Sequence, residues 1–437
     1  MVPASQGLRR VSFCRGAVLA LCVLAWPPPS AAQGRPADAK PRYEVWAQLR
    51  ARSENRFGAG ESAAKEDGLG ITRVWLNATL RASKGVRFAV QLNDARVIGL
   101  DAPQRRRALE DPLDVREAYV ALGPEEGALE LRVGRQQMDF VDQRLIGGRR
   151  WSNTSPMFDG AQLTIRRGEH RVHLLGFSNV GIRDGFNRPL RSRFLYGAIG
   201  SIQLANSEHR LEPFVLANRR EEIAASNTGG LLRTAGARLF GRFGETWDYQ
   251  MIFAGQGGGL AHRPQRAWMG VCGLGKTFDA VPARPRLGFE WSQASGDDDP
   301  GDGRTGTFDT LHPSPHRIYG EMDIVSLRNL KFVKAGVDLR PGKRWRLTFD
   351  AMDLRVASTR DALYGLSMRA VVRPPAGGAA SSSIGQELDL VLRYYPRPNI
   401  ELRFGASHYF AGPFVTRSPD NPGESQTFLT TALQIDL

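Results

Sequence analysis

From Tyr43 to its C-terminus this chain repeats one unit: about ten residues whose side chains alternate apolar and polar, then a break. In 343–352, Trp345, Leu347, Phe349 and Ala351 share one face, and Arg344, Arg346, Thr348 and Asp350 share the other. Leu388, Leu390, Leu392 and Tyr394 oppose Glu387, Asp389 and Arg393, just as Ile400, Leu402, Phe404 and Ala406 oppose Glu401, Arg403, Gly405 and Ser407. Near the start, Val74, Leu76, Ala78 and Leu80 oppose Arg73, Trp75, Asn77 and Thr79. A period of two puts each set on one side of a β-strand. After the first 30 residues no run of 18 apolar residues occurs, which excludes a membrane-spanning helix there. Alternating strands average to a hydrophilic chain, so a mean hydropathy of −0.33 is compatible with a membrane barrel.

The spacing of the breaks constrains the fold further. Strands are predicted near 43–52, 70–82, 86–97, 115–122, 128–136, 159–167, 170–179, 196–204 and 209–218. They continue near 231–241, 246–254, 268–278, 284–294, 331–340, 343–354, 385–396, 399–410 and 426–437, making eighteen. Short connections (83–85, 123–127, 168–169, 205–208, 242–245, 279–283, 341–342, 397–398) alternate with long ones (53–69, 98–114, 137–158, 180–195, 219–230, 255–267, 295–330, 355–384, 411–425). A soluble sandwich has no reason to keep that order. An outer-membrane barrel does, with tight periplasmic turns and longer outer loops. Closure removes every edge strand and pairs every backbone group that meets lipid. The expected fold is all-β: a transmembrane antiparallel up-and-down barrel of 18 strands in the bacterial outer membrane. In the last strand, Leu429, Thr431, Leu433, Ile435 and Leu437 share the outer face. Two segments fit poorly: 209–218 and 231–241 alternate weakly, and Pro213 falls inside a strand, where sheets resist it.

The N-terminus reads as a cleaved signal peptide, 1–32. Arg9, Arg10 and Arg15 precede an apolar stretch from Gly16 to Trp26, and Ser30-Ala31-Ala32 supplies small residues for cleavage. A short linker, 33–42, then leads to a barrel over 43–437. Cys14 and Cys22 leave with the signal, so Cys272 remains alone and no internal disulfide is possible. Cleavage removes three arginines and no acids, lowering the net charge from +14 to +11. Only seven of the 59 basic residues are lysine. Arginine in such excess suits two-pronged binding of carboxylate or phosphate, although an arginine-rich codon bias produces the same composition.

Three stretches resemble the alginate export family of outer-membrane barrels. One is Leu131-Arg132-Val133-Gly134-Arg135-Gln136 with Arg144, Trp151-Ser152-Asn153 and Phe158-Asp159-Gly160. The second is Asp114-Val115-Arg116-Glu117-Ala118-Tyr119. The third runs from Ser295-Gly296-Asp297-Asp298-Asp299 through Phe308-Asp309 and His312 to His316, Tyr319-Gly320-Glu321-Met322-Asp323. The resemblance implies a monomeric, arginine-lined pore that conducts an anionic polysaccharide such as an alginate-like polyuronate, working with periplasmic secretion components. A positive wall in a narrow low-dielectric channel concentrates and guides such a chain. By strand parity Arg73, Arg87, Arg132, Arg344, Arg346, Arg393 and Arg403 face the lumen, with Lys334 and Arg340 beside them. Arg135 shares the parity of Leu129, Leu131 and Val133, so it needs a bulge, or a position above the lipid, to join them. Each could instead pair with a lumen acid such as Glu130, Asp350, Asp389 or Glu401. The family's alginate exporter plugs its pore with a long periplasmic turn. Here the periplasmic turns are short, so the outer loops 98–114, 137–158 and 295–330 are the candidates for a constriction. That departure keeps a second cargo open: small anions such as carboxylates or sugar acids, crossing a diffusion porin.

Other chemistry is sparse. Asp298, Asp302, Gly303 and Asp309 fall at EF-hand-like offsets, which raises Ca²⁺ within 297–309. Pro300 occupies a ligand position and no helices flank the stretch, so no cofactor is expected. Pro313 and Pro315 forbid the helix that would align His312 and His316 on a metal. No nucleophile elbow, phosphate loop or metalloprotease helix occurs, so no enzyme is expected. Nucleic acid is a poor partner for basic residues spread over exported strands. Outer-membrane lipid and lipopolysaccharide are the expected surroundings.

Overall fold

The computed structural model describes residues 42–58, 66–99, 109–183, 185–205, 208–221, 229–261, 263–314, 316, 318–419 and 423–437. The expected signal peptide 1–32 and most of the linker lie outside these residues. All eighteen expected strands form. They are β1 (Tyr43–Phe57), β2 (Glu66–Ser83), β3 (Val86–Ile98), β4 (Asp111–Leu122), β5 (Leu129–Gln136), β6 (Phe158–Arg167), β7 (His170–Gly181), β8 (Arg188–Gln203) and β9 (Arg210–Arg220). Then come β10 (Gly230–Phe243), β11 (Trp247–Leu260), β12 (Arg263–Thr277), β13 (Arg286–Ala294), β14 (Leu330–Gly342) and β15 (Trp345–Arg355). A small hairpin, β16 (Leu363–Tyr364) with β17 (Ala370–Val372), interrupts the sequence before β18 (Ser383–Arg397), β19 (Ile400–Ala411) and β20 (Gln426–Asp436). Sequential strands pair antiparallel throughout, with β15 joined to β18. The cylinder closes where β1 meets β20, from Gln48↔Asp436 to Phe57↔Thr427.

Outside, the wall is apolar: Leu76, Phe88, Phe253, Phe289, Phe349, Leu390 and Phe404 are all exposed. A patch that wraps a whole barrel far exceeds what a soluble surface carries, and it matches the lipid-facing band of a membrane barrel. Phe243, Trp247, Trp345 and Tyr394 stand near the periplasmic turns as an aromatic girdle, with Trp345 and Tyr394 stacked at 4.3 Å. Among the described residues no helix is long and apolar enough to cross a membrane.

Two expectations change. Several outer connections are shorter than the breaks suggested, because the strands continue outward. The expected loop 255–267 shrinks to residues 261–262, and 180–195 to residues 182–187. Gly255, Gly257, Gly258 and Gly259, all within that expected loop, lie in β11 and keep its ladder with β10. The weak alternation of 209–218 and 231–241 also has a structural cause. Phe177, Leu195, Phe214, Leu216, Leu232 and Ile252 point inward from β7 to β11 and are buried. They pack on loop residues inside the barrel, so both faces of these strands are apolar. Pro213 is accommodated within β9, opposite Ala237 of β10.

Candidate functional site

Two outer loops fold down into the lumen. The β5–β6 loop (137–157) and the β13–β14 loop (295–329) pair through an isolated bridge between Ile146 and His312. Backbone bonds from Gly147 to the His312 carbonyl and from Ser314 to the Gln143 carbonyl, both 2.8 Å, extend the seam. Met138, Val141, Leu145, Ile146, Phe308 and Tyr319 form a core with the inward residues of β7–β12. Burial of that apolar surface is what holds polar-flanked loops inside a water-filled channel. Val141, Asp142 and Gln143 hold φ angles of 52°, 53° and 59°. Such left-handed backbone costs about 1–2 kcal/mol per residue and survives only where surroundings over-determine it. Arg144, fully buried beside this turn, does so by donating to Glu290 of β13 at 2.6 Å and to the Tyr319 hydroxyl at 2.8 Å.

On the opposite wall, arginines of β1, β2 and β19 seize the loop tips. Arg73 donates to the carbonyls of Arg150 and Ser152 at 2.8 and 2.9 Å, Arg50 to that of Arg150 at 3.0 Å, and Arg52 to that of Trp151 at 2.7 Å. The Trp151 ring lies under Arg52 and Arg403, 4.1 and 4.3 Å from its centroid. It also stacks parallel on His316 at 4.5 Å, so indole and imidazole lock the two loops together. Asn153 donates to the carbonyls of Thr72, Arg96 and Leu109, which fixes the loop beside β2–β4. Arg116 stacks on Trp75 at 4.1 Å and bonds Gln91, Glu117 and Gln137.

The second loop is fastened by acids. Glu321 bonds Arg403 and lies 3.3 Å from His316, while Asp323 contacts His316 at 3.1 Å. The amide of Glu321 donates to Asp389 at 3.0 Å and that of Met322 to Glu387 at 2.9 Å. Gly320 sits against the Glu387 carboxylate with φ of 105°, a place no side chain fits. Burial alone would depress His316, but Asp323 and Glu321 outweigh it and raise its pKa to about 9. Glu321 is driven well below the usual carboxylate range, against the cost of burial, by His316 and Arg403. His312 differs: burial and nearby arginines lower it to about 3, and its neutral ring meets Asn179 at 3.0 Å.

The expected lumen residues divide by depth. Arg73 and Arg403 hold loops, as described. Arg87 and Arg132 pair with Glu130, which Arg166 also approaches. Arg135 keeps its awkward parity and sits at the outer end of β5, donating to Asp159 at 2.8 and 3.1 Å and to the Asn187 carbonyl. Lys334 donates to the Ile318 carbonyl at 3.1 Å. Arg393 lies 3.8 Å from Glu401, and Arg346 stands over Tyr395 at 5.6 Å and is exposed. Arg340 is exposed at the periplasmic end of β14. Arg344 needs correction: it lies in the turn between β14 and β15, not in the strand, because the ladder resumes only at Trp345. Register nonetheless joins Arg346 to Arg393 and Arg393 to Arg403 on adjacent strands, and Ala432 of β20 carries that row to Arg52.

Arg50 and Arg52, absent from the expected lumen set, alternate with Leu49 and Ala51 and follow the same parity. Arg144 and Trp151 had no periodic signal, being loop residues. Both lie in stretches that carried the family resemblance, and those three stretches converge here. Of the outer loops considered for the constriction, 137–158 and 295–330 enter the lumen, while residues 100–108 lie outside the described residues. Asp299 and Asp302 accept amides of their own loop, and Asp309 is bound by Arg220 at 2.9 Å. Among the described residues no three His, Cys, Asp or Glu side chains form a metal-binding group.

A closed eighteen-strand barrel with an apolar belt and an arginine-lined lumen narrowed by outer loops is an outer-membrane transport channel. Residues 42–428 match the alginate export family, and the chain belongs to it. Its fold is similar to that of Pseudomonas aeruginosa OpdO, at 14% identity and a TM-score of 0.60, covering 90% of this chain and 97% of that one. Acinetobacter baumannii OccAB2 is similar at 11% identity and a TM-score of 0.59, over 90% and 98%. P. aeruginosa OccK2, solved in complex with glucuronate, is similar at 11% identity and a TM-score of 0.57, over 90% and 96%. No curated protein matches the sequence significantly.

Proposed function

We propose that this channel passes sugar acids, single uronate-sized anions, by passive diffusion past the open, periplasmic end of its arginine row. The observation that carries the reading is the register of Arg346, Arg393, Arg403 and Arg52, which leads from the periplasmic vestibule to the loop seam. Arg346 and Arg393, on adjacent strands below the loop seam, let a carboxylate exchange one guanidinium fork for the next, while the buried Arg403 and Arg52 hold the loops that narrow the passage. The two loops bonded to both walls favour a small anion over a threaded polymer. The glucuronate bound by OccK2, a barrel of the same fold, supports the same class. An anionic polysaccharide is the second reading, and membership of the alginate export family favours it.

Planar-bilayer recording tests both. The expected result is an anion-selective pore that glucuronate blocks in a concentration-dependent way. A cation-selective pore, or one indifferent to glucuronate, would overturn the proposal. Block by uronate oligomers but not by the monomer would favour the polymer.

A further inference from the structure

On the lipid-facing wall, a groove of about 690 Å³ opens across β10, β11 and β12. Its floor is Gly255 and Gly257, and a β-carbon added at either would meet nothing within 4 Å. Val215, Phe253 and Trp268 are its exposed apolar walls. At its upper end Arg233 pairs with Gly257, and Gly257 with Arg266, so two exposed arginines flank one glycine in a single row. Neither arginine side chain finds a hydrogen bond or an ion pair among the described residues.

Height decides what these arginines meet. Phe243, Trp247 and Lys276 form a matching row at the periplasmic end, each ten positions from Arg233, Gly257 and Arg266 respectively. Lys276 lies over the Trp247 ring at 4.7 Å, an arrangement suited to a membrane interface. Ten residues at about 3.3 Å each, tilted by roughly 40°, rise about 25 Å, the height of a barrel's apolar band. The arginine row therefore stands at the outer headgroup level, with the groove running down beneath it into the acyl layer.

We infer that this groove is a binding site for a phosphate-bearing acylated lipid of the outer leaflet. Arg233 and Arg266, about 10 Å apart across two strand spacings, converge on one phosphate. An acyl chain lies over Gly255 between Phe253 and Trp268. Charge selects the occupant: a neutral lipid leaves both guanidinium groups unpaired, and a soluble anion leaves the groove unfilled.

The test uses the purified full barrel in detergent and bisphosphorylated lipid A, with retention measured by native mass spectrometry. The Arg233→Gln, Arg266→Gln double variant is expected to weaken binding about tenfold or more. Gly257→Leu, which fills the groove and keeps both arginines, is expected to do the same. Dephosphorylated lipid A should bind the unaltered barrel as weakly as the phosphorylated lipid binds the double variant. Unchanged retention in either variant, equal binding of the dephosphorylated lipid, or complete competition by inorganic phosphate at millimolar concentration would each overturn the site.

Discussion

Arg403 and Arg346 stand in one row of the barrel wall, joined through Arg393, yet their surroundings differ. Arg403 is buried, bonded to Glu321 and to Thr430, and covered by Trp151. Arg346 is exposed, with only the Tyr395 ring beside it. The same residue type, at the same parity, is a fastener at one end of the row and a free charge at the other. What separates them is whether an outer loop reaches that depth. The buried arginine fixes the shape of the passage, and the exposed one is the charge that the proposed function leaves for the ion.

The sharpest way to break this contrast is to cut the fastener. Glu321→Ala leaves Arg403 and His316 buried without their shared acid, at a cost of about 3–5 kcal/mol. The 295–329 loop should loosen, with a several-fold rise in single-channel conductance and a lower unfolding temperature. Unchanged conductance would mean that the loop is not the constriction. Next in size, Arg346→Glu with Arg393→Glu should leave conductance similar but lower the anion-to-cation permeability ratio roughly tenfold, read from the reversal potential in a salt gradient. If selectivity held, the vestibule end of the row would not be the filter.

Gly320→Ala forces a side chain against Glu387 in a left-handed conformation and should cost about 1–3 kcal/mol, with conductance moving in the same direction as for Glu321→Ala. A gentler probe is pH. His316 is raised from 6.5 to about 9 by its acids, so its pairing stabilises the fold fully below pH 6.5 and is lost as pH rises through 9. Channel noise and mean conductance should therefore increase between pH 7 and 10, and His316→Gln should flatten that rise. Smallest of all, Arg135→Gln removes a pair with Asp159 at the outer rim, so stability should fall slightly while ion selectivity stays the same.

The barrel was legible because its physics is local. Alternation assigns a face to Leu388 or Arg393 whatever the rest of the chain does, and short turns against long breaks order the strands. Where locality failed, a second buried surface was the reason. Phe214 and Leu232 look like poor strand residues until an inserted loop is there to cover them. Lumen parity likewise found Arg403 and Arg346 together and had no means to tell them apart.

Strand number, closure and the inward side of Arg73, Arg346, Arg393 and Arg403 were thus determined by the sequence alone, through a period of two that needs no partner to be read. Which arginines stay free was decided only in three dimensions. Loops far apart in the chain had to meet at Trp151 and His316 before Arg403 and Arg52 acquired their partners, and no periodicity encodes such a meeting.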